Sequence, residues 1–157
     1  AYDPGRWATV ESNFSRIYSA LSTKTLSFDC SCPNPPMGRT DIYAYVISNR
    51  HYEIFLCDVF WLVPLGGTDS KAGTIVHEIS HFSIVAGTGD SAYGHENTKI
   101  LANSSPNAAI GNADSIEYFA ENTPFLSMPT GTDEPEPVIP SFLPVIYALL
   151  FSEEKAR

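Results

Sequence analysis

Apolar residues near the start of the chain recur with the spacing of a helix. Between Thr9 and Leu21 they fall at every third or fourth position, while Glu11 and Arg16 lie on other faces. This pattern predicts one amphipathic helix over 9–21. Three short segments rich in Tyr, Phe, Val and Ile follow it, separated by clusters of Pro, Gly and Asn. They predict the strands of a small antiparallel sheet over 25–30, 41–47 and 53–57.

The helical spacing returns in the second half of the chain. Ser70 and the two polar residues before it offer N-cap oxygens for a helix running from about 71 to 85, which Gly87 ends. Further helical patterns cover 94–102 and then 106 to about 121, where Pro106 suits a first turn. Many helices with a few short strands predict a helix-rich α+β fold.

The composition changes after Asn122. Six prolines stand between Pro124 and Pro144, together with the acidic patch at 133–136. A segment of this kind is typical of an extended linker. The apolar positions in 145–157 then predict a short terminal helix. We therefore expect one folded domain over 1–125, followed by a linker and short helix over 126–157.

Length and charge narrow the possible partners. The 157 residues, of which 43% are hydrophobic and 17% charged, suffice for one core but not for two. Eighteen acidic and nine basic side chains give a net charge of −9, which repels phosphate backbones and anionic lipid. The longest apolar run, 144–151, is far shorter than the roughly 20 residues of a membrane helix. No basic-then-apolar leader opens the chain. We expect neither nucleic acid nor membrane as a partner.

The chain has three cysteines, an odd number that cannot all pair within it. Cys30 and Cys32 are separated by one residue and cannot easily bridge each other. Cys32 and Cys57 flank a hairpin-like stretch and are able to pair if the protein is exported. Cys30 is then left over, which suggests a disulfide partner on another chain or on a further segment.

The segment His77-Glu78-Ile79-Ser80-His81 carries the clearest chemistry. On a helix, His77 and His81 lie one turn apart on the same face, so both imidazoles can bind one Zn²⁺. Glu78 then lies beside the open position of the metal, where a carboxylate can take a proton from water. This arrangement is typical of zincins. The alternative is a buried pair of histidines with a purely structural role, which leaves Glu78 unexplained.

A catalytic zinc site needs a third protein ligand. The segment 87–94 reads Gly-Thr-Gly-Asp-Ser-Ala-Tyr-Gly, and its glycines can turn the chain so that Asp90 returns to the metal. Tyr93 follows three residues later, where its phenol can donate a hydrogen bond to an oxyanion. An ordinary turn residue for Asp90 and a core aromatic for Tyr93 remain the alternatives.

Together, the segments 77–81 and 87–94 resemble the deuterolysin or aspzincin metallopeptidases. The resemblance covers about residues 10–125, and several further stretches resemble the peptidyl-Lys metalloendopeptidase branch, namely 27–32, 56–61, 67–70 and 112–119. It implies a zincin-like fold with one Zn²⁺ held by His77, His81 and Asp90. It also implies that Glu78 activates water and that Tyr93 assists. Peptides or proteins are the implied substrates, and the protein is expected to be secreted.

The spacing of Asp114 and Glu117 predicts the substrate specificity. They lie three residues apart on a predicted helix, so their carboxylates share a face and can form an anionic pocket. Such a pocket suits the compact ammonium of lysine. In the lysine-directed members of the family this pair lies at the S1′ position, which implies cleavage on the amino side of lysine. The alternative is a solvated acidic helix face.

The chain also departs from the family pattern. Family members usually carry an additional N-terminal helical region whose cysteine pairs with the counterpart of Cys30, and this sequence starts after it. The segment 124–157 does not resemble the family. Two rivals to a lysine-directed peptidase therefore stay open. One is a noncatalytic interaction module stabilised by zinc, and the other is a deuterolysin-like peptidase of broad specificity.

Overall fold

Six α-helices and three short β-strands form the part of the chain that the computed structural model describes, residues 3–39 and 41–121. In chain order they are α1 (Pro4–Thr23), β1 (Ser27–Asp29), β2 (Ala44–Tyr45), β3 (Glu53–Leu56), α2 (Asp58–Leu62), α3 (Lys71–His81), α4 (His95–Ser104), α5 (Pro106–Ala109) and α6 (Ala113–Glu121). A short 3₁₀ turn covers Pro36–Gly38. The predicted linker and terminal helix over 126–157 lie outside the described residues.

The three strands form one sheet in the order β1-β3-β2. β2 pairs with β3 in the predicted antiparallel sense, with Ala44 opposite Leu56, but β1 runs parallel to β3, with Phe28 opposite Ile54. The expectation of a purely antiparallel sheet is therefore wrong for this one pair. Residues 30–52 are long enough to carry the chain back in the same direction, as a parallel pair requires. The helix-rich α+β class is confirmed.

α1 covers the predicted helix and extends it at both ends. Asp3 is its N-cap and accepts a hydrogen bond from the Arg6 backbone N–H at 2.8 Å, and Pro4 occupies the first turn. The apolar face of α1 packs into a core that also includes β3 and α3. Its buried members from these elements are Phe14, Ile17, Ala20, Leu21, Ile54, Leu56, Ala72, Ile75, Val76 and Ile79.

α3 begins as predicted and ends earlier. The side chain of Ser70 caps it by accepting a hydrogen bond from the Gly73 N–H at 3.0 Å. The helix ends at His81 rather than near 85, because the backbone of Phe82 leaves the helical conformation, with φ −59° and ψ 129°, and its side chain is wholly buried in the core. The Ser83 N–H bonds instead to the Ser48 carbonyl. The chain therefore turns directly after His81.

The single helix predicted over 106–121 is two helices, α5 and α6. The turn between them contains Asn112, whose side chain is fully buried. Its neighbours pair with Gly89: the Gly89 N–H donates to the Gly111 carbonyl, and the Ala113 N–H donates to the Gly89 carbonyl. This pairing with a distant loop interrupts the helix, and helical spacing alone does not reveal it.

Cys32 and Cys57 form a disulfide that joins the loop after β1 to the N-cap of α2. Cys30 is exposed and has a free thiol. Among the helices that the structure describes, none has the length and hydropathy to cross a bilayer.

Candidate metal centre

Three side chains from two elements converge on one point. His77 and His81 project from the same face of α3, and the turn after the helix returns Asp90 to them. The Asp90 Oδ1 lies 3.4 Å from the Nε2 atom of each histidine. His77, His81 and Asp90 are therefore able to hold one metal ion.

This donor set fits zinc. Zinc takes imidazole nitrogen and carboxylate oxygen at about 2.0–2.2 Å, and ligands in a tetrahedral arrangement at such distances are about 3.4 Å apart. The two separations of 3.4 Å between Asp90 and the histidines match this value. Three protein ligands leave a fourth position for water or substrate, as catalytic zinc sites require.

Hydrogen bonds on the opposite ring nitrogens orient both imidazoles. The His81 Nδ1 donates to the Thr88 carbonyl at 2.9 Å. The His77 Nδ1 lies 2.9 Å from Asp114 Oδ1 and 3.1 Å from Glu117 Oε2, so its proton is shared by two carboxylates. When the proton of each ring is on Nδ1, Nε2 is left without one and is able to bind a metal ion, which is the state a metal ligand needs.

Glu78 and Tyr93 lie beside the three candidate ligands and face the same cavity. Glu78 is 5% exposed and has no hydrogen bond to another residue in the described part of the chain. Its carboxylate is therefore available to a molecule in the cavity. Tyr93 is about half exposed. Partial burial and a hydrogen bond with the Asp90 carboxylate raise the pKa of Tyr93 to about 12, so the phenol keeps its proton.

All of the residues predicted for chemistry line one cavity of about 840 Å³: His77, Glu78, His81, Asp90, Tyr93, Asp114 and Glu117. Asp114 and Glu117 share one face of α6, as expected, and both are buried at one side of the cavity. They do not form a solvated acidic surface. No pattern in the sequence predicted their contact with His77, because this contact depends on how α6 packs against α3.

Burial and crowded carboxylates shift the pKa values of the site. Burial raises the pKa of Glu78, and it raises the pKa of Glu117 to about 7. Burial acts to lower the pKa of His77, but hydrogen bonds with Asp114 and Asp90 hold it well above its usual value. The histidines in turn hold the pKa of Asp90 below its usual range, against the effect of burial. This excess of carboxylates over cations suits a bound cation.

Two more residues of the site were not predicted. Glu121 accepts hydrogen bonds from the backbone N–H groups of Asp69 and Ser70, at 3.1 and 2.9 Å, and one from the Ser70 hydroxyl at 2.7 Å. It thereby ties α6 to the start of α3. Its spacing of four residues from Glu117 was a usable signal. Asn112 holds the loop after Asp90, and no periodic pattern identifies it.

With this geometry established, comparison with known proteins identifies the family. Residues 1–121 match the model of the aspzincin family, described as lysine-specific metallo-endopeptidases. The chain belongs to this family. The match covers the described fold together with every residue of the candidate metal centre.

Individual relatives of this aspzincin chain agree with that assignment. An extracellular protease of Aeromonas hydrophila is 51% identical over 124 residues, which cover 79% of this chain and 34% of the relative. A peptidyl-Lys metalloendopeptidase of Armillaria mellea is 46% identical over 123 residues, 78% of this chain and 33% of the relative. One from Pleurotus ostreatus is 44% identical over 122 residues, 78% of this chain and 69% of the relative.

A solved structure gives the same result. A zinc peptidase from Grifola frondosa superposes with a TM-score of 0.73 at 42% identity, covering 80% of this chain and 73% of that one. The helix-rich fold with a small sheet is therefore that of an aspzincin. The chain spans only about a third of the length of the Aeromonas and Armillaria relatives, at 34% and 33%.

Proposed function

We propose that the chain is a zinc-dependent endopeptidase that is secreted and cleaves peptide bonds on the amino side of lysine. The observation that carries this proposal is the convergence of His77, His81 and Asp90 beside the free carboxylate of Glu78 in an open cavity. We assign the activity to residues 1–125, since the family match and the described core both fall within them.

Within the proposed site, His77, His81 and Asp90 would hold the zinc. A zinc ion bound there supplies Lewis acidity, which polarises the scissile carbonyl and makes water more acidic. Glu78 accepts the proton of the attacking water and later delivers it to the leaving amine. Its raised pKa suits both steps, since a general acid–base group works best when its pKa is near the operating pH.

Tyr93 contributes the second polar group of the proposed mechanism. Its phenol keeps its proton at neutral pH and faces the cavity beside Asp90. It donates a hydrogen bond to the oxygen on which negative charge develops as the carbonyl is attacked. Because it is half exposed, the side chain has room to move when a peptide enters.

The preference for lysine is supported by the charge of the cavity wall. Asp69, Asp114 and Glu117 all line the cavity. Arg39 also lines it, but its guanidinium is bonded to Asp41 at 2.9 and 3.0 Å. A lysine ammonium entering there meets carboxylates with little competition. The relatives named peptidyl-Lys metalloendopeptidase, at 44–46% identity, support the same choice.

Of Asp114 and Glu117, Glu117 is the better candidate for the direct contact with the lysine side chain of a substrate. Both oxygens of Asp114 are engaged, Oδ1 by His77 and Oδ2 by the Gly94 N–H at 2.7 Å. In Glu117, Oε2 receives the His77 proton, while Oε1 has no hydrogen-bond donor in the described part of the chain. Oε1 is therefore the oxygen left for an ammonium.

Secretion is supported by two observations. The disulfide between Cys32 and Cys57 is typical of proteins that mature in an oxidising compartment. The relative from Aeromonas hydrophila is named an extracellular protease.

The Glu78→Gln variant tests the proposed mechanism. We expect it to bind about one zinc per chain and to melt at the parental temperature, while cleavage of a denatured protein falls at least about 100-fold. Glu96→Gln, on the exposed surface of α4, is the matched control and should cleave normally. Chelation should abolish parental cleavage, and added Zn²⁺ should restore it. A Glu78→Gln protein that cleaves within twofold of the parent would refute the assigned base.

A further inference from the structure

Asn112 is a fully buried amide whose hydrogen-bonding capacity is completely used. Its Oδ1 accepts from the backbone N–H groups of Ser91 and Ala92, at 2.8 and 2.9 Å. Its Nδ2 donates to the Ala92 carbonyl at 3.0 Å and to the Ser115 hydroxyl at 3.1 Å. Two donors and two acceptor positions exhaust what an asparagine side chain offers. Three of the four bonds go to one loop.

That loop carries two of the candidate site residues. Asp90 directly precedes Ser91, and Tyr93 directly follows Ala92. The loop has little secondary structure of its own, so its shape depends on bonds to other elements. On its two sides the Gly89 backbone pairs with Gly111 and Ala113, and the Gly94 N–H donates to Asp114. Asn112 supplies the bonds in the middle, between Asp90 and Tyr93.

We propose that Asn112 is a positioning residue that holds Asp90 and Tyr93 at the spacing the site needs. A carboxylate on a free loop samples many positions and binds a metal ion weakly, whereas one fixed 3.4 Å from both imidazoles is ready to ligate. The amide also places the loop against the start of α6, where Asp114 is located. One buried side chain therefore links the metal centre to the proposed lysine pocket.

Only an amide of this length serves all four partners. An aspartate at the same position keeps the oxygen acceptor, and the Ser115 hydroxyl can donate to its second oxygen, but that oxygen faces the Ala92 carbonyl with no proton to donate. An alanine leaves the N–H groups of Ser91 and Ala92 without the acceptor and opens a cavity. These two substitutions therefore separate the acceptor role from the donor role.

The test compares Asn112→Ala with Asn13→Ala in the full chain. Asn13 is also a buried asparagine, but it lies on α1, outside the cavity, where it accepts from Arg16 at 2.6 Å. Zn²⁺ affinity is measured by competition with a chelating dye, and the visible spectrum is recorded with Co²⁺. We expect Asn112→Ala to lose about 10–100-fold in Zn²⁺ affinity and to alter the Co²⁺ spectrum. Asn13→Ala should lower the melting temperature without either effect.

Two further measurements strengthen the test. In the metal-free protein, the amide hydrogens of Ser91 and Ala92 should exchange about tenfold faster in Asn112→Ala than in the parent. The Asn112→Asp variant keeps the acceptor and should show an intermediate loss of Zn²⁺ affinity. It decides the question if Asn112→Ala does not fold.

The inference rests on the proposed metal site, and its failure is distinguishable from failure of that site. A parent chain that binds no Zn²⁺ would overturn both. A second outcome would overturn only the positioning role of Asn112. The parent would bind Zn²⁺, and Asn112→Ala would bind it with an affinity within twofold of the parent and an unchanged Co²⁺ spectrum. If Asn112→Ala does not fold, the same result for Asn112→Asp counts instead.

Discussion

His77 and His81 are each held by a different kind of hydrogen-bond acceptor. The His81 Nδ1 bonds to a neutral backbone carbonyl, whereas the His77 Nδ1 faces two carboxylates. Carboxylates make an imidazole more basic than a carbonyl does, so the two candidate ligands are electronically unequal. The same carboxylates, Asp114 and Glu117, line the proposed lysine pocket. In the proposed mechanism, metal binding and substrate recognition would therefore share residues.

The Glu117→Gln variant tests the lysine pocket at the residue scale. Replacing the carboxylate removes a charge-assisted hydrogen bond to the substrate ammonium, a loss of about 1.5–3 kcal/mol or roughly 10- to 150-fold in kcat/KM. We expect this loss for cleavage before lysine only. The measurement is the set of new N-termini from a denatured protein, with Zn²⁺ affinity followed in parallel, because Glu117 also contacts His77.

Glu11→Gln, on the exposed surface of α1, is the control for the lost charge and should keep the parental preference. If lysine still dominates the new N-termini of Glu117→Gln, the pocket is assigned to the wrong residue. Mixed termini from the parent itself would instead support a peptidase of broad specificity.

At the scale of elements, the contact between α3 and α6 depends on a glycine. A Cβ atom built on Gly73 would lie 2.1 Å from Glu121 Oε1 and 2.8 Å from Glu117 Oε1. The missing side chain lets both carboxylates approach α3, and Glu121 then bonds to the helix start at Ser70. Negative charge at a helix N-terminus also interacts favourably with the helix dipole. Gly73 therefore lowers the helix propensity of α3 but allows α6 to pack closely against it.

Gly73→Ala should destabilise the fold, although alanine is the better helix former by about 1 kcal/mol. Displacing Glu121 forfeits three hydrogen bonds to a charged group, and we expect a net loss of about 1–2 kcal/mol in the free energy of unfolding. Urea denaturation measures it. In a Glu121→Ala background the same substitution should cost less, because the nearer carboxylate is gone and only Glu117 Oε1, at 2.8 Å from the added Cβ, has to shift.

Gly111→Ala is the matched control for this effect. Its added Cβ would meet the Ala108 carbonyl at 3.7 Å, an ordinary contact, so little change is expected. If Gly73→Ala stabilises the protein in the presence of Glu121, the close approach of the two carboxylates does not govern the interface.

The periodic patterns located most elements but not their ends. The amphipathic spacing located α1, and Ser70 correctly marked the start of α3. The end of α3 and the break between α5 and α6 were not predicted. Both depend on contacts with distant parts of the chain, Phe82 with the core and residues 111–113 with Gly89. Local propensity contains no information about such partners.

At the scale of the whole molecule, the disulfide ties together two parts of the sheet region. Cys32 and Cys57 are 25 residues apart in sequence, and closing a loop of that size stabilises a fold by about 3 kcal/mol. We expect Cys32→Ser/Cys57→Ser to lose about this much in the free energy of unfolding. Neither cysteine lines the cavity, so Zn²⁺ affinity should stay within twofold of the parent.

Cys30→Ser is the control for this pair, because Cys30 is exposed and has a free thiol. Its melting temperature should equal that of the parent. A double variant as stable as Cys30→Ser would show that the disulfide does not contribute to the stability of the fold.

The amino-acid sequence by itself determined the α+β class, the family and the residue types of the candidate site. Helical spacing places His77 and His81 on one face, because residues four apart are neighbours on any α-helix. Only the tertiary structure decided which distant groups contact these two histidines. The distances from Asp90, the shared proton of His77 and the bonds of Asn112 all join residues far apart along the chain. Such contacts form when whole helices and loops pack together, and the local spacing of residues in the sequence does not predict that packing.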